Sequence, residues 1–485
     1  MGTVRQSLTL SFVQNYLVIA IQLVFSVVVS RLLTPAEVGI VSIAAVVTSI
    51  ASVVRDFGVG EYLIQEKALT RDKIRAALTA NLAVSWTLAV IVLVLAVPLG
   101  NFYRDPRVGY VLLVTGCNFF LVPIGAVPMA WFRRELNFVP ILWSSLLGTI
   151  VSAAVSIGLL LLGFGYMSLA WGSLCSIVAA VGVALWFRPR DFPLLPGWKE
   201  IRGVFRFGAI ASSIYIFLEL GRGAPELIVG RLTGVTAVGL YSRANGLNEL
   251  FNRLVSRAVM PVLLPYFSIA DRAGSGLAAG YAKTIRYLTV IAWPFFGVTA
   301  LTAYPLIRII YGDQWDAAVP LVRILCLAGA IEVLSLPSKE LLIGIGRVRA
   351  GAVLQAVMQT NRVIGLLAGA PFGLEAVCWS LVASAAVNAL VVMVVLRGSI
   401  GFGFRDLWKS SRGAVPVTLI SIVPAAVCAI SFGDYPANYV TVLACVAAMS
   451  PPLWILGVRL VAHPAYEEVT RIKAQVLRSL GGAFR

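Results

Sequence analysis

The sequence is poor in charged residues and in the residue types that most catalytic and metal sites need. Only 13% of the 485 residues are charged and 59% are hydrophobic, whereas a soluble chain carries roughly a quarter charged residues. A single histidine, His463, is present, which argues against catalysis or zinc binding that needs histidine. No GxxxxGK[ST] phosphate loop occurs, so this chain does not hydrolyse ATP by that route. These shortages indicate a polytopic membrane protein.

Cysteine is equally uninformative about chemistry. The six cysteines all lie within apolar runs and lack a paired short spacing, so we predict neither disulfides nor metal ligands; they are Cys117, Cys175, Cys326, Cys378, Cys428 and Cys445. The net charge of +17 does not indicate nucleic acid as a partner. The basic residues occupy short connections between apolar runs, as cytoplasmic loops do under the positive-inside rule.

The apolar runs predict an all-α polytopic membrane protein with about 14 transmembrane helices. The first run is too long for a signal-peptide core and is predicted to be an uncleaved span. The first span is predicted to end at about residue 33. The other thirteen are predicted to cover roughly 38–63, 76–99, 109–131, 141–163, 167–187, 207–230, 238–267, 284–307, 317–336, 351–370, 374–396, 414–432 and 438–460.

The basic residues give the predicted orientation. Segments on the amino-terminal side of this map hold 27 of the 39 lysines and arginines, the opposite side holds 5, and 7 lie within spans. Both termini are therefore predicted to be cytoplasmic. No connection is long enough for a soluble domain, so the helices themselves must carry the function.

One stretch occurs twice in the chain. Residues Val27 to Ala44 read VVVSRLLTPAEVGIVSIA, and residues Leu227 to Ala244 read LIVGRLTGVTAVGLYSRA, with seven of eighteen positions identical. Weaker matches follow at an offset of 208, where Tyr103 recurs as Tyr311. The pattern predicts two pseudo-symmetric lobes in parallel orientation, as in parallel-repeat transporters. We predict an amino-terminal lobe at 1–200 with helices 1–6, a carboxy-terminal lobe at 201–400 with helices 7–12, two further helices at 401–464, and a cytoplasmic amphipathic tail at 465–485.

Polar residues form stripes on the apolar spans. In the eighth span one arc holds Ser242, Asn245, Asn248, Glu249, Asn252, Arg253 and Ser256, and in the second span the matching arc holds Ser42, Thr48, Ser49, Ser52 and Asp56. The first, seventh and eleventh spans carry shorter stripes. Each ionised residue near the bilayer centre costs about 2.5–3.5 kcal/mol on insertion scales, so such stripes need partners or water.

Two interpretations of the stripes remain open. Glu219 and Glu226 could neutralise Arg222, and Glu249 could neutralise Arg253, as neighbours on a helix surface. Alternatively, the stripes line a hydrated cleft of an alternating-access transporter. On that interpretation the substrate-binding candidates are Asn15, Gln22, Ser52, Arg55, Tyr215, Arg222, Asn245, Asn248, Asn252, Arg253, Arg257, Gln359 and Arg362, and the ion-coupling candidates are Asp56, Glu219, Glu226 and Glu249. Arginine in a dry cleft suits phosphate or carboxylate, which favours an anionic substrate.

Three stretches resemble a known family. The segments SRLLTPAEVGIVSIA from Ser30, RDFGVGEYLIQ at Arg55 to Gln65, and WFRRELNF at Trp131 to Phe138 are similar to the polysaccharide-transport branch of the multidrug/oligosaccharidyl-lipid/polysaccharide exporter superfamily, the Wzx-type flippases. The resemblance is specific over the amino-terminal third and rests on topology elsewhere. The lipid II flippases of that superfamily carry arginines in the first span. This chain has none there before Arg31, which leaves the pyrophosphate contact to Arg55, Arg222, Arg253 or Arg257.

The resemblance implies a function in the bacterial inner membrane. It implies that undecaprenyl-pyrophosphate-linked oligosaccharide repeat units move from the cytoplasmic to the periplasmic leaflet, for exopolysaccharide, capsule or O-antigen assembly. It further implies membrane lipids and a polysaccharide polymerase and export complex as partners, no cofactor, and coupling to a proton or sodium gradient or to the membrane potential. The alternatives are a cation-coupled multidrug antiporter, a membrane oligosaccharide polymerase or ligase, and a scaffold; the outer loops are too short for the large periplasmic loop of a polymerase.

Overall fold

The computed structural model describes residues 2–56, 59–67, 69–193, 195–199, 201–274, 276–432, 438–468 and 470–471. Of the described residues, 87% are helical and none lies in a strand. The helices are α1 (Gly2–Leu32), α2 (Pro35–Asp56), α3 (Val59–Gln65), α4 (Arg71–Phe102), α5 (Pro106–Gly116), α6 (Asn118–Arg134), α7 (Val139–Leu161), α8 (Met167–Phe187), α9 (Ile201–Leu232), α10 (Val235–Phe251), α11 (Arg257–Arg272), α12 (Leu277–Leu301), α13 (Ala303–Ile310), α14 (Val319–Glu332), α15 (Ser338–Gly344), α16 (Val348–Gly369), α17 (Leu374–Ile400), α18 (Phe404–Ser411), α19 (Ala414–Phe432) and α20 (Tyr439–Leu460).

The chain divides into two compact units, Met1–Ser242 and Arg243–Arg485. The division falls inside α10 rather than at the predicted lobe boundary after residue 200. Compactness and sequence repetition are different properties, so the predicted lobes at 1–200 and 201–400 and the helices at 401–464 stay predictions. The predicted tail at 465–485 lies largely outside the described residues, which end at Arg471.

Local sequence explains where the helices of the first unit begin and end. Thr70 caps α4 by accepting a hydrogen bond from the Lys73 amide, and Asp105 caps α5 by accepting one from the Arg107 amide. The Arg107 side chain also donates to the Asp105 carboxylate at 2.8 Å, which lowers the pKa of that carboxyl. A helix of 32 residues such as α4 spans about 48 Å, more than the ~30 Å of bilayer hydrocarbon.

The two copies of the repeated stretch contact each other within the first unit. The amino-terminal turns of α2 and α10 cross at Gly39 and Gly239. A Cβ atom on Gly39 would lie 1.8 Å from the Val235 carbonyl oxygen, and one on Gly239 would lie 1.9 Å from the Pro35 carbonyl oxygen. One turn further, the Ser42 and Ser242 hydroxyls are 3.2 Å apart and hydrogen-bonded. Glycine at both positions therefore permits a backbone-to-backbone crossing that no other residue would allow.

The second unit is held by an aromatic and aliphatic core. Phe267, Tyr281, Leu341 and Phe402 are fully buried and pack together. Tyr281 and Phe402 meet edge to face, with ring centroids 4.9 Å apart. A smaller cluster around Val290, Val417 and Val458 joins α12, α19 and α20. The last two predicted helices are thus packed on the second unit through α12.

Every predicted span overlaps a helix, but several spans differ in detail. Ten helices of the described chain are long and apolar enough to cross a membrane, and a bent pair at Val235–Ser256 and Val259–Arg272 raises the number to 11. The predicted span at 109–131 is two helices, because the helix breaks at Cys117 between α5 and α6. The predicted span at 38–63 ends as α2 at Asp56. The all-α, multi-pass architecture is confirmed, and the count of 14 stays a prediction.

The single histidine has a packing role beyond the end of α20. His463 is 4% exposed, its ring lies 6.2 Å from that of Tyr287, and its Nδ1 accepts a hydrogen bond from the Ala465 amide at 3.2 Å. The accepting Nδ1 requires the neutral ring. Burial, with a further contribution from Arg286, lowers the pKa of His463 below its usual 6.5.

We expect acid to destabilise the protein through His463. Because the folded state binds this proton less readily than the unfolded state, stability is intact above pH 6.5 and declines as the pH falls below that value. His463→Asn should reduce the acid-induced fall in Tm by roughly 1–2 °C per pH unit. Tm of the detergent-solubilised protein between pH 7.5 and 5 measures this effect. Identical pH profiles of the two proteins would contradict it, and Arg349→Ala, at an exposed position, is the control.

Candidate functional site

A polar cavity lies at the carboxyl end of α2 in the first unit. Its volume is about 260 Å³. Two predicted site residues, Arg55 and Asp56, line it together with Asn81 from α4 and Arg133 from α6. The cavity thus contains two guanidinium groups, one carboxylate and one amide. Such a set can bind a phosphate or carboxylate through the arginines while the amide hydrogen-bonds a neutral hydroxyl.

Arg55 is held in place by two neighbours. Its Nη2 donates to the Asp56 carboxylate at 2.7 Å, and its guanidinium carbon lies 5.7 Å from the Phe119 ring centroid. The Arg55 side chain is 16% exposed and that of Asp56 is 70% exposed. An ion pair with so exposed a carboxylate adds little stability, and Asp56 remains accessible to solvent.

Asn81 is the cavity residue that the sequence did not single out. It is 4% exposed, and its Oδ1 accepts a hydrogen bond from the Ser85 hydroxyl at 3.3 Å. The stretch ALTANLAV contains one amide and one threonine, which are too few polar residues to form a helical stripe. A buried amide in a membrane helix was the only available signal, since burying it costs free energy unless it is hydrogen-bonded. Arg133 was assigned to a cytoplasmic loop and was missed for that reason.

The remaining candidates of the first unit lie on α1, α2 and α9. Ser49 of α2 donates a hydrogen bond to the Glu219 carboxylate of α9, so the two predicted stripes meet there. Ser52 is half-buried one turn before Asp56. Gln22 on α1 and Arg222 on α9 are exposed, whereas Glu226 is half-buried.

In the second unit a π-helical segment, Asn252–Ser256, lies between α10 and α11. Asn252 donates to the Glu249 carboxylate at 3.2 Å, and Arg253 is exposed. Asn245 and Asn248 are half-buried on α10. Asn248 directs its Oδ1 toward Gly329 of α14, where an added Cβ would lie 2.4 Å from that oxygen. π turns interrupt helices most often at functional sites.

Of the two interpretations of the stripes, the one with ion pairs between neighbours on a helix can be compared with the described contacts. In the described part of the chain neither Arg222 nor Arg253 forms an ion pair. Glu219 instead binds Ser49, and Glu249 binds Asn252. Both arginines are therefore available to an anion.

A polar ladder joins α16 and α17 beside the last two candidates. Asn361 donates to the Asn388 side chain at 2.9 Å and to the Ser384 carbonyl at 3.1 Å. Gln359 and Arg362, which flank Asn361, are half-buried on α16. The ladder positions α16, and the sequence pattern of glutamines and arginine did not reveal it.

Three candidate residues have side chains that the structure does not describe. The side chains of Asn15, Tyr215 and Arg257 lie outside the described residues, although their backbones are helical. Within the residues that the structure covers, no group of three or more His, Cys, Asp or Glu side chains could hold a metal ion.

An apolar groove lies between α12, α13, α19 and α20. Its volume is about 720 Å³. Phe295, Val298, Leu306, Val446 and Trp454 contribute to its walls. A groove of this size and character accepts hydrocarbon chains and offers little to sugars or ions.

Comparison with known proteins relates the chain to polysaccharide transport. It is 27% identical over 408 residues to the succinoglycan biosynthesis transport protein ExoT of Rhizobium meliloti, covering 82% of this chain and 81% of ExoT. It is 21% identical over 350 residues to the lipopolysaccharide biosynthesis protein WzxC of Escherichia coli, covering 70% of this chain and 69% of WzxC.

Solved structures confirm the fold. The lipid II flippase MurJ in an inward closed conformation has a TM-score of 0.75 at 11% identity, covering 94% of this chain and 100% of MurJ. An inward-facing multidrug MATE transporter has a TM-score of 0.66 at 17% identity, covering 81% of this chain and 95% of the transporter. At these identities the likeness shows the architecture alone.

The family itself follows from a sequence match. A model described as polysaccharide biosynthesis protein matches residues 28–320. Together with the transport protein among the relatives, this match confirms the resemblance to the polysaccharide-transport branch and favours a transporter over an enzyme. Because the match covers more than half of its 485 residues, the chain belongs to the polysaccharide biosynthesis protein family.

Proposed function

We propose that this protein flips undecaprenyl-pyrophosphate-linked oligosaccharide repeat units from the cytoplasmic to the periplasmic leaflet of the bacterial inner membrane. The observation that carries the proposal is the pair of arginines Arg222, on α9, and Arg253, in the π-helical segment after α10, which lie within predicted spans and form no ion pair in the described structure. Uncompensated arginines are costly in a membrane unless an anion or water meets them. A pyrophosphate is such an anion. Membership of the polysaccharide biosynthesis protein family supports a substrate in which the pyrophosphate links a lipid to a sugar.

The cavity at the end of α2 suits the sugar phosphate. Arg55 and Arg133 present positive charge, and Asn81 presents an amide to sugar hydroxyls. By the distribution of basic residues this end of α2 faces the cytoplasm, the side on which both termini are also expected. We therefore assign the cavity to the entry of the substrate headgroup.

The apolar groove beside α19 and α20 suits the prenyl chain. Its walls are aromatic and aliphatic, so a hydrocarbon tail can lie there while the headgroup crosses. Each buried methylene contributes about 0.8 kcal/mol. Asp56, Glu219, Glu226 and Glu249 are the proposed ion-coupling groups, and a polysaccharide polymerase and export complex is the proposed recipient of the repeat unit.

Deletion of the gene tests the proposal. Lipid-linked repeat units should accumulate at the cytoplasmic leaflet, which a membrane-impermeant glycosidase applied to spheroplasts would leave intact. Complementation by Arg222→Ala or Arg253→Ala should restore less polymer export than complementation by wild type at equal abundance, while Arg349→Ala at an exposed site serves as the control.

Three results would contradict the proposal. Normal delivery of repeat units to the periplasmic leaflet in the deletion strain would exclude flipping. Accumulation of a cationic dye in the deletion strain, with polymer export unchanged, would identify a multidrug antiporter of the same fold. Full export with both arginine variants would instead favour a scaffold.

A further inference from the structure

Another arginine of the second unit, Arg243, lies in an aromatic cage. The guanidinium carbon of Arg243 is 5.6 Å from the ring centroid of Tyr311 and 5.6 Å from that of Trp315. Its Nε is buried without a hydrogen-bond acceptor, and Arg243 has no acidic partner among the described residues. Tyr311 is 6% exposed and Trp315 is fully buried, so packing fixes the positions of both rings.

The internal repeat shows that packing does not need this charge. Arg243 corresponds to Ile43 at the offset of 200, and Tyr311 corresponds to Tyr103 at the offset of 208. In the first unit Ile43 and Tyr103 both border Gly230, where an added Cβ would lie 2.8 Å from Ile43 Cδ1 and 3.2 Å from Tyr103 Cε1. Ile43 is fully buried. One copy thus places isoleucine beside the tyrosine, and the other places arginine there at a desolvation cost.

The surroundings of Arg243 supply further donors. The Tyr311 hydroxyl oxygen would lie 3.3 Å from a Cβ on Gly246, one turn along α10 from Arg243. Burial raises the pKa of Tyr311, so the hydroxyl stays protonated and can donate. The described structure therefore combines a guanidinium group and a phenol, with no carboxylate competing for Arg243.

We propose that Arg243 and Tyr311 form a binding site for a phosphate or diphosphate group. The rings hold the guanidinium by cation–π contact and leave its terminal nitrogens free to donate to anion oxygens. Tyr311 and Trp315 belong to a connection on the side that carries few basic residues, which the charge distribution assigns to the periplasm. On the proposed function, which this assignment assumes, the site receives the diphosphate of the lipid-linked sugar after it crosses.

Binding to purified full-length protein in phosphatidylcholine nanodiscs tests the site. The two probes are inorganic pyrophosphate and undecaprenyl pyrophosphate, which separate the phosphate group from its lipid carrier. Arg243→Ile should raise the Kd by roughly tenfold or more, because charge-assisted hydrogen bonds are lost. Tyr311→Phe should raise it by roughly threefold or more through the loss of one donor. Arg349→Ile, at an exposed position, should leave it unchanged.

Arg243→Ile is expected to fold, since the first copy carries isoleucine at the matching position. Its Tm should equal or exceed that of wild type while binding falls. A weakened Kd for both probes supports recognition of the phosphate group itself, and a weakened Kd for undecaprenyl pyrophosphate alone supports the lipid-linked source. Wild-type Kd values for both probes in Arg243→Ile would overturn the site. If the deletion strain delivers repeat units normally but binding of the probes still depends on Arg243, the proposed function is overturned and the binding site stands.

Discussion

Replacing Gly39 with alanine is expected to destabilise the protein by about 3 kcal/mol or more, the upper range for overpacking. The added Cβ would lie 1.8 Å from the Val235 carbonyl oxygen and 2.7 Å from its carbonyl carbon. Both are backbone atoms, so no side chain can move aside, and α2 must separate from α10. Gly239→Ala meets the Pro35 carbonyl oxygen at 1.9 Å and should have a similar effect.

The measurement is Tm and membrane abundance, with Gly182→Ala as the control. Gly182 lies within α8 and an added Cβ there meets nothing within 4 Å. Alanine at such a position should stabilise its helix by roughly 0.5–1 kcal/mol. A Gly39→Ala protein whose Tm lies at or above that of Gly182→Ala would show that the two backbones do not cross as described.

Replacing Arg55 with alanine is expected to lower polymer export by at least about tenfold with abundance within a factor of about two. The substitution removes the cavity's most enclosed cation, which is 16% exposed and backed by Phe119. Its ion pair with the 70% exposed Asp56 contributes little to stability, so folding should persist. Export of polymer per cell at equal protein abundance measures the effect.

Asp56→Asn separates two roles of the same cavity. If Asp56 couples transport to an ion, the variant should bind substrate but lose the dependence of export on the ion gradient. Asp56→Asn that exports at the wild-type rate and still responds to the gradient would limit Asp56 to pairing with Arg55. Lys199→Ala, at an exposed lysine, is the matched control for a lost surface charge.

Residue pattern alone predicted the membrane class, the internal repeat and the helical stripes. Hydropathy and a period of 3.6 residues are local properties, so they can be recognised from the sequence alone. The partner of each stripe is not a local property. The contact of Ser49 with Glu219 joins residues 170 positions apart, and neither residue's neighbours in sequence indicate it.

The misses have equally specific causes. A fixed helical angle was assumed through the eighth span, so the π turn at Asn252–Ser256 was not expected. Asn81 was overlooked because it and Ser85, four residues later, are too few to form a long polar stripe. Arg243 was not among the candidates, since its aromatic cage comes from Tyr311 and Trp315, 68 and 72 residues away.

The crossing of α2 and α10 has a reciprocal form: residue 39 meets the carbonyl of residue 235, and residue 239 meets the carbonyl of residue 35. Exchanging the two copies leaves the contact unchanged, which is the defining property of an isologous interface. A single half-length polypeptide could therefore have made both sides of it as a homodimer. Gene fusion would then have kept this contact in a single chain. The two copies could afterwards differ at other positions, such as Ile43 and Arg243.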